Sequence, residues 1–163
     1  MSRLKGMRGF TLVELMITLA LLGIVAAIAV PNFVQFIRNN QVQAKADELK
    51  TFLQYARGQA VTTRKSYVVT ATSAAAWDIK PEGGAVERKL EFNAAQAKPL
   101  TSASSFPLTF SPSGMASSSS VITVCRDSDF ANGYLLEVKA SGVVKMYARG
   151  YKDDADKLTS CTP

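Results

Sequence analysis

The chain has 163 residues and no histidine at all. That absence removes the commonest general base near neutral pH and the commonest zinc nitrogen ligand together. Cysteine is scarce too, with only Cys125 and Cys161, so neither a zinc cluster nor a dense disulfide framework is available. There is no phosphate-binding loop and no nucleophile elbow, and Gly83-Gly84 follows Pro81-Glu82 as a turn, not as a dinucleotide fingerprint. Asp153, Asp154 and Asp156 lie close together, but their spacing misses the EF-hand pattern. These gaps speak against an enzyme, and no cofactor or metal is expected.

Charge is unevenly spread. Residues 66–163 carry ten Lys/Arg against ten Asp/Glu, so that part is neutral. The net charge of +6 therefore comes from residues 1–65. Arg3, Lys5 and Arg8 precede a long apolar run and have no acid among them. From Phe10 to Val30 the only charge is Glu14. A helix over this run would be about 31 Å long, enough to cross a hydrocarbon core. The basic tail would stay in the cytoplasm and the remainder would cross.

A secretory signal would explain the basic start and the small residues Ala27-Ile28-Ala29, but its apolar region is usually shorter and uncharged. A plain anchor would make Thr11-Leu12-Val13-Glu14 a capping box with Thr11 as N-cap. It leaves Gly9 unexplained, and it places a carboxylate where an unpaired charge is costly.

The whole stretch "RGFTLVELMITLALLGIVAAIAVPNF" resembles the class III signal of type IV pilins and pseudopilins. The resemblance implies that prepilin peptidase cuts after Gly9 and that the new N-terminal residue, Phe10, is N-methylated. Glu14 then becomes the fifth residue of the mature chain. It also implies that Glu14 meets the Phe10 amine of a neighbouring subunit in a filament. Two charges that need each other in an apolar setting would set axial register. The segments implied are a leader 1–9, an assembly helix 10–31 ending at Pro31, and a periplasmic domain 32–163.

After Pro31 the pattern changes. Val42, Ala46, Leu49, Leu53, Ala56 and Ala60 recur at steps of four and three, one face of an amphipathic helix. Gln41, Gln43, Lys50, Gln54 and Arg57 fall on the other side. A nearly continuous helix is expected from about Phe10 to Arg64, bent or weakened at Pro31. Its basic residues are expected on a solvated face, or against acidic groups of neighbours or lipid headgroups.

From Ser66 the segments SYVVTAT, AWDIK, AVERKLEF, VITVCRD, GYLLEVKA and VVKMYAR read as strands. In AVERKLEF, Val86, Arg88, Leu90 and Phe92 share one side, with Arg88 out of keeping. Thr101 to Ser105 reads as a Ser-rich connector, and Asn132-Gly133 and Ser141-Gly142 read as turns, the second a tight hairpin. The fold class is α+β: a long N-terminal helix packed on antiparallel strands, as in type IV pilins.

The segment "LTFSPSGMASSSSVITVCRD" resembles the FimT/FimU and GspH group of minor pilins and minor pseudopilins, in Phe110, Pro112 and Gly114, with a later Gly142. The resemblance implies one of three roles. One is a minor pilin that primes a type IV pilus and couples the tip minor pilins to the major shaft. Another is the related role in a type II secretion pseudopilus. The third is DNA binding for uptake. The partners implied are other minor pilins, the major pilin, prepilin peptidase and an inner-membrane assembly platform. The protein would be a single-span inner-membrane subunit before entering a filament that serves functions such as twitching motility.

For DNA, only Lys145, Arg149 and Lys152, interleaved with Tyr147 and Tyr151, could grip a strand. The following Asp153, Asp154 and Asp156 would repel phosphate, which disfavours nucleic acid. A Cys125–Cys161 bond would suit an exported pilin domain, and closing about 36 residues would add roughly 3–4 kcal/mol. Two separate buried thiols are the alternative.

Overall fold

The computed structural model describes residues 9–73, 75–101 and 106–163. The basic leader with Arg3, Lys5 and Arg8, and the Ser-rich stretch 102–105, lie outside the described residues. The order of elements is one helix followed by eight strands: α1 (Leu12–Thr63), β1 (Tyr67–Ser73), β2 (Ala76–Pro81), β3 (Arg88–Glu91), β4 (Lys98–Thr101), β5 (Leu108–Phe110), β6 (Ser120–Cys125), β7 (Tyr134–Val138) and β8 (Val144–Met146). The chain divides into two compact units, the second being Arg38–Pro163.

In the first unit α1 begins as the sequence signals predict. The Glu14 backbone N–H donates to Thr11 Oγ1 at 3.2 Å, so Thr11 caps the helix. Pro31 lies inside the helix and removes one backbone donor. The next side chain, Asn32, donates to the Ile28 carbonyl at 2.8 Å. The helix ends at Thr63, and Arg64 takes the left-handed conformation (φ 54°) that more often falls to glycine at this position.

In the second unit the striped half of α1 supplies one wall of the core. Val42, Ala46, Leu49, Leu53, Ala56 and Ala60 are all buried, and so is Phe52, which the stripe read from the sequence omitted. Phe52 sits three residues after Leu49 and four before Ala56, so it widens the stripe without leaving its face. The strands form two antiparallel sheets, ordered β3-β2-β1-β5 and β4-β6-β7-β8. Val69, Trp77, Ile79, Leu108 and Phe110 from the first sheet join Ile122, Val124, Leu136 and Val138 from the second in one cluster with the helix. The small side chains at 46, 56 and 60 share one buried cluster with Trp77 and Phe52, two of the largest fully buried groups.

Strand β6 is buried on both faces. Ile122 and Val124 belong to the core shared with the helix, while Cys125 joins Leu135, Leu158 and Cys161 in a second cluster. The C-terminal segment covers this outer face: Cys125 and Cys161 are joined by a disulfide with their Cα atoms 6.1 Å apart. Buried Thr123 donates its hydroxyl to the Cys161 carbonyl.

Two expectations need correction. The alternation read from Val86 holds only from Leu90, since β3 starts at Arg88 and Val86 is exposed. Arg88 spoils it for a physical reason: its guanidinium lies 4.8 Å from the centre of the Tyr55 ring on α1. The second correction is β4. Its last residue, Thr101, opened the stretch read as a connector, yet Lys98–Thr101 pairs with β6 from Lys98↔Cys125 to Thr101↔Ile122. Pro99 hid it, and proline is tolerated because β4 is an edge strand. The tight hairpin expected at Ser141-Gly142 is present: it joins β7 to β8 through the turn Lys139–Gly142, closed by Gly142 N–H to the Lys139 carbonyl at 2.7 Å.

Phe52→Ala in the full-length chain should lower the unfolding free energy by about 3–5 kcal/mol, measured by denaturant titration in detergent. The adjacent exposed Gln54→Ala should change it by less than about 0.5 kcal/mol.

Candidate functional site

Two regions stand out once the core is accounted for. The first is residues 10–37, where α1 buries nothing. Its large apolar side chains are exposed throughout, from Phe10 at 80% to Ile37 at 41%. Each costs about 1.5–3 kcal/mol to leave in water when a burial partner exists. Among the described residues one helix, α1, is long and apolar enough to cross a membrane. Glu14 sits in its first turn, where a carboxylate also suits the helix dipole. Gly9 is exposed, and a Cβ built on it would meet nothing within 4 Å. Packing among the described residues therefore does not demand a glycine at that position.

The second region is a junction in the domain. Ser111–Gly114 is a turn with Pro112 at its second position, closed by Gly114 N–H to the Ser111 carbonyl at 2.8 Å. Lys139–Gly142 repeats that bonding. In each, the first residue's N–H also bonds the carbonyl just after the glycine, Met115 or Val143, at 2.8 and 2.9 Å. Both glycines have φ +78°, which a side chain resists. The two turns touch: Ala116 N–H donates to the Ala140 carbonyl at 3.0 Å. Arg57 Nε from α1 then donates to the Gly114 carbonyl at 2.9 Å. Helix, first sheet and second sheet thus meet at one carbonyl oxygen.

At the other end of the striped helix two further arginines reach α1. Arg126 donates to Gln41 Oε1 at 3.1 Å, and Arg149 donates to Gln43 Oε1 at 3.2 Å and to the Tyr134 hydroxyl at 3.1 Å. Gln41, Gln43 and Arg57, read from the sequence as lying on the side opposite the apolar stripe, are therefore contacts between the helix and the strand-bearing part of the domain. They join residues 57, 85 and 106 positions apart, so no local pattern announces them.

The residues considered for DNA are not displayed as a basic strip. Lys145 Nζ lies 2.7 Å from Asp154 Oδ2 and 4.4 Å from the centre of the Tyr147 ring. The hydrogen bond to Asp154 raises the Lys145 pKa above its ordinary value. Tyr147 donates its hydroxyl to Glu137 Oε2 at 2.6 Å, and chiefly for that reason its pKa is raised. Lys152 pairs with Asp156 at 3.4 Å. Asp153 Oδ1 accepts the backbone N–H groups of Asp156 and Ala155, which hold its pKa below the usual carboxylate value. The aspartates thus close a turn and pair lysines. Among the described residues no group of three Cys, Asp or Glu side chains gathers to hold a metal ion.

With this geometry in view, the comparisons are specific. The family described as Type II transport protein GspH matches residues 45–142, and the prokaryotic N-terminal methylation motif matches residues 4–30. The type IV major pilin protein PilA of Myxococcus xanthus is 55% identical over 47 residues, 29% of this chain and 20% of that one. A fimbrial protein of Pseudomonas aeruginosa is 39% identical over 69 residues, 42% of this chain and 44% of that one. The chain thus spans less than half the length of these curated relatives. The crystal structure of the type IV minor pilin FimU of Pseudomonas aeruginosa superposes with a TM-score of 0.63 at 25% identity, covering 77% of this chain and 98% of that one.

Gly142→Ala and Gly58→Ala should move stability in opposite directions. A Cβ on Gly142 would overlap the Gly114 carbonyl oxygen and stand 2.9 Å from Arg57 Nε, so a loss of at least about 2 kcal/mol is expected. Gly58 lies within α1 with open space around it, so alanine there should add about 0.5–1 kcal/mol. Denaturant midpoints of the two variants test both signs.

Proposed function

The chain belongs to the family of type II transport protein GspH, and from that premise we propose that it is a minor pilin that primes type IV pilus assembly and couples the tip minor pilins to the major shaft. The fold is that of type IV pilins, a long N-terminal helix packed on antiparallel sheet. The observation that carries the reading is the pairing of an exposed apolar half-helix with a domain that matches the crystallised chain of a pilus minor pilin over 98% of its length.

In this reading prepilin peptidase removes residues 1–9 and Phe10 becomes the methylated N-terminus. The methylation motif over residues 4–30 supports it, as does a Gly9 that packing among the described residues does not require. Phe10 then precedes the Thr11 cap directly, and its amine and Glu14 lie within one helical turn of each other in the chain. Residues 10–31 hold the subunit in the inner membrane as a single span. Packing against the same helices of neighbours then removes their apolar surface from lipid. Glu14 would meet a neighbour's Phe10 amine, and a stagger that leaves both unpaired is penalised. Pro31 marks where the span gives way to the domain-bearing part of the helix.

A pseudopilin of type II secretion is the second reading, favoured by the description of the matching family. DNA uptake has less support, because Lys145 and Lys152 are engaged by carboxylates.

Intact mass of the membrane-purified protein should correspond to a chain starting at N-methylated Phe10, with a gain of about two hydrogens on reduction. A chain starting at Met1 or at Val30 would reject the processing step. Glu14→Ala should still be cleaved but should enter filaments roughly tenfold less or worse, scored by immunoblot of sheared filaments. Wild-type incorporation would remove the role given to Glu14.

A further inference from the structure

Five cations of the domain, among the described residues, have side-chain partners of two kinds. Lys45, Lys145 and Lys152 each pair with a carboxylate, at 2.7, 2.7 and 3.4 Å. Arg126 and Arg149 instead donate to the amide oxygens of Gln41 and Gln43, with the Tyr134 hydroxyl as a further partner of Arg149. A neutral acceptor orients a guanidinium without cancelling its charge. Among the described residues, Arg38, Arg126 and Arg149 form no ion pair. Of the acids nearest in sequence, Asp127 and Asp47 are exposed and form no ion pair among the described residues, Asp153 accepts backbone N–H groups of its own turn, and Glu48 on α1 is taken by Lys45.

Their placement is specific. Gln41 and Gln43 flank buried Val42, and two residues on a helix are about 200° apart. Arg126, just after β6, and Arg149, after β8, therefore reach α1 on its two flanks at one level. Arg38 lies four residues before Val42, one turn earlier on the same side of the helix, and is exposed. Three permanent charges surround the first turns of the helix in the domain unit, which starts at Arg38.

We propose that this collar is a binding surface for anionic lipid headgroups, occupied while the subunit is anchored in the membrane. The inference rests on the anchored state described above. Phe10 to Ile37 is apolar apart from Glu14 and a few small polar residues, and along the helix it measures roughly 42 Å. A bilayer with its headgroup layers is about 40–45 Å thick. The chain therefore delivers Arg38 to the outer face of the headgroup layer, with Gln41 and Gln43 about 5–8 Å further along the helix. Planar guanidinium forks suit phosphate oxygens, and the glutamines hold two of them ready. In this use the charges of Arg38, Arg126 and Arg149, which no carboxylate among the described residues pairs, meet phosphate instead.

The test is hydrogen exchange of the full-length chain, reconstituted in vesicles of phosphatidylcholine alone or with about 30% phosphatidylglycerol, after flotation. Segments 38–43, 126–133 and 147–151 should exchange more slowly with the anionic lipid. Each Arg→Gln change at 38, 126 or 149 should reduce that protection about fivefold, and roughly 0.5 M salt should abolish it. Lys139→Gln, which removes the same charge at the β7–β8 turn, should leave it intact. Where Arg126→Gln or Arg149→Gln fails to fold, Arg38→Gln decides, since that side chain holds nothing in the fold. Equal exchange in the two vesicle types, with the chain floating in both, overturns the headgroup site alone. Failure to float in either removes the anchored state and the site with it. Greater protection of these segments by a short DNA duplex in neutral vesicles would give the collar to nucleic acid and overturn the lipid assignment.

Discussion

Burial of one stripe of α1 makes a single core out of two small sheets. Neither sheet has more than four strands, and each needs cover for one face. The stripe from Val42 to Ala60 provides it for both, and the strand residues that pack there come from seven of the eight strands. The polar contacts at its two ends secure the helix where the stripe begins and where it finishes. Arg57 does so at the Gly114 carbonyl, and Arg126 and Arg149 do so at Gln41 and Gln43. The same element thus supplies the core of the domain and, in residues 10–37, apolar side chains that nothing among the described residues buries.

Much of this was legible because it is local. The capped start at Thr11, the isolated carboxylate at Glu14, Pro31, and the steps of four and three from Val42 each announce themselves within a few residues. The same holds for Pro112 and Gly114, whose turn chemistry follows from two side chains. What escaped was set by tertiary context. Strand β4 is four residues long and contains Pro99, so only its pairing with β6 reveals it. Arg88 looked like a fault in an alternating strand until Tyr55 appeared beneath it. The arginine contacts to α1 lie across large separations, and a glutamine facing solvent reads the same as a glutamine facing a guanidinium.

The charge balance carries a related lesson. Counting made the region after residue 65 neutral, which is true of the total and hides the arrangement. Lysines 145 and 152 are held by aspartates in the following turn, so the basic character of that stretch is largely spent within it. The arginines are held by amide and carbonyl oxygens and keep their fields. A structural subunit that works through contacts gains from this division. Local ion pairs shape loops cheaply, while the uncompensated charges stay where another surface can meet them.

The arginine contacts have one more consequence. Guanidinium stays protonated at any pH a bacterium meets, and amide and carbonyl oxygens have no proton to lose. The clamps from Arg57 to Gly114, Arg126 to Gln41 and Arg149 to Gln43 are therefore blind to acidity, and no imidazole exists in the chain to couple it to them. A domain held this way can face a compartment whose pH follows the outside medium and keep its helix seated while that medium changes.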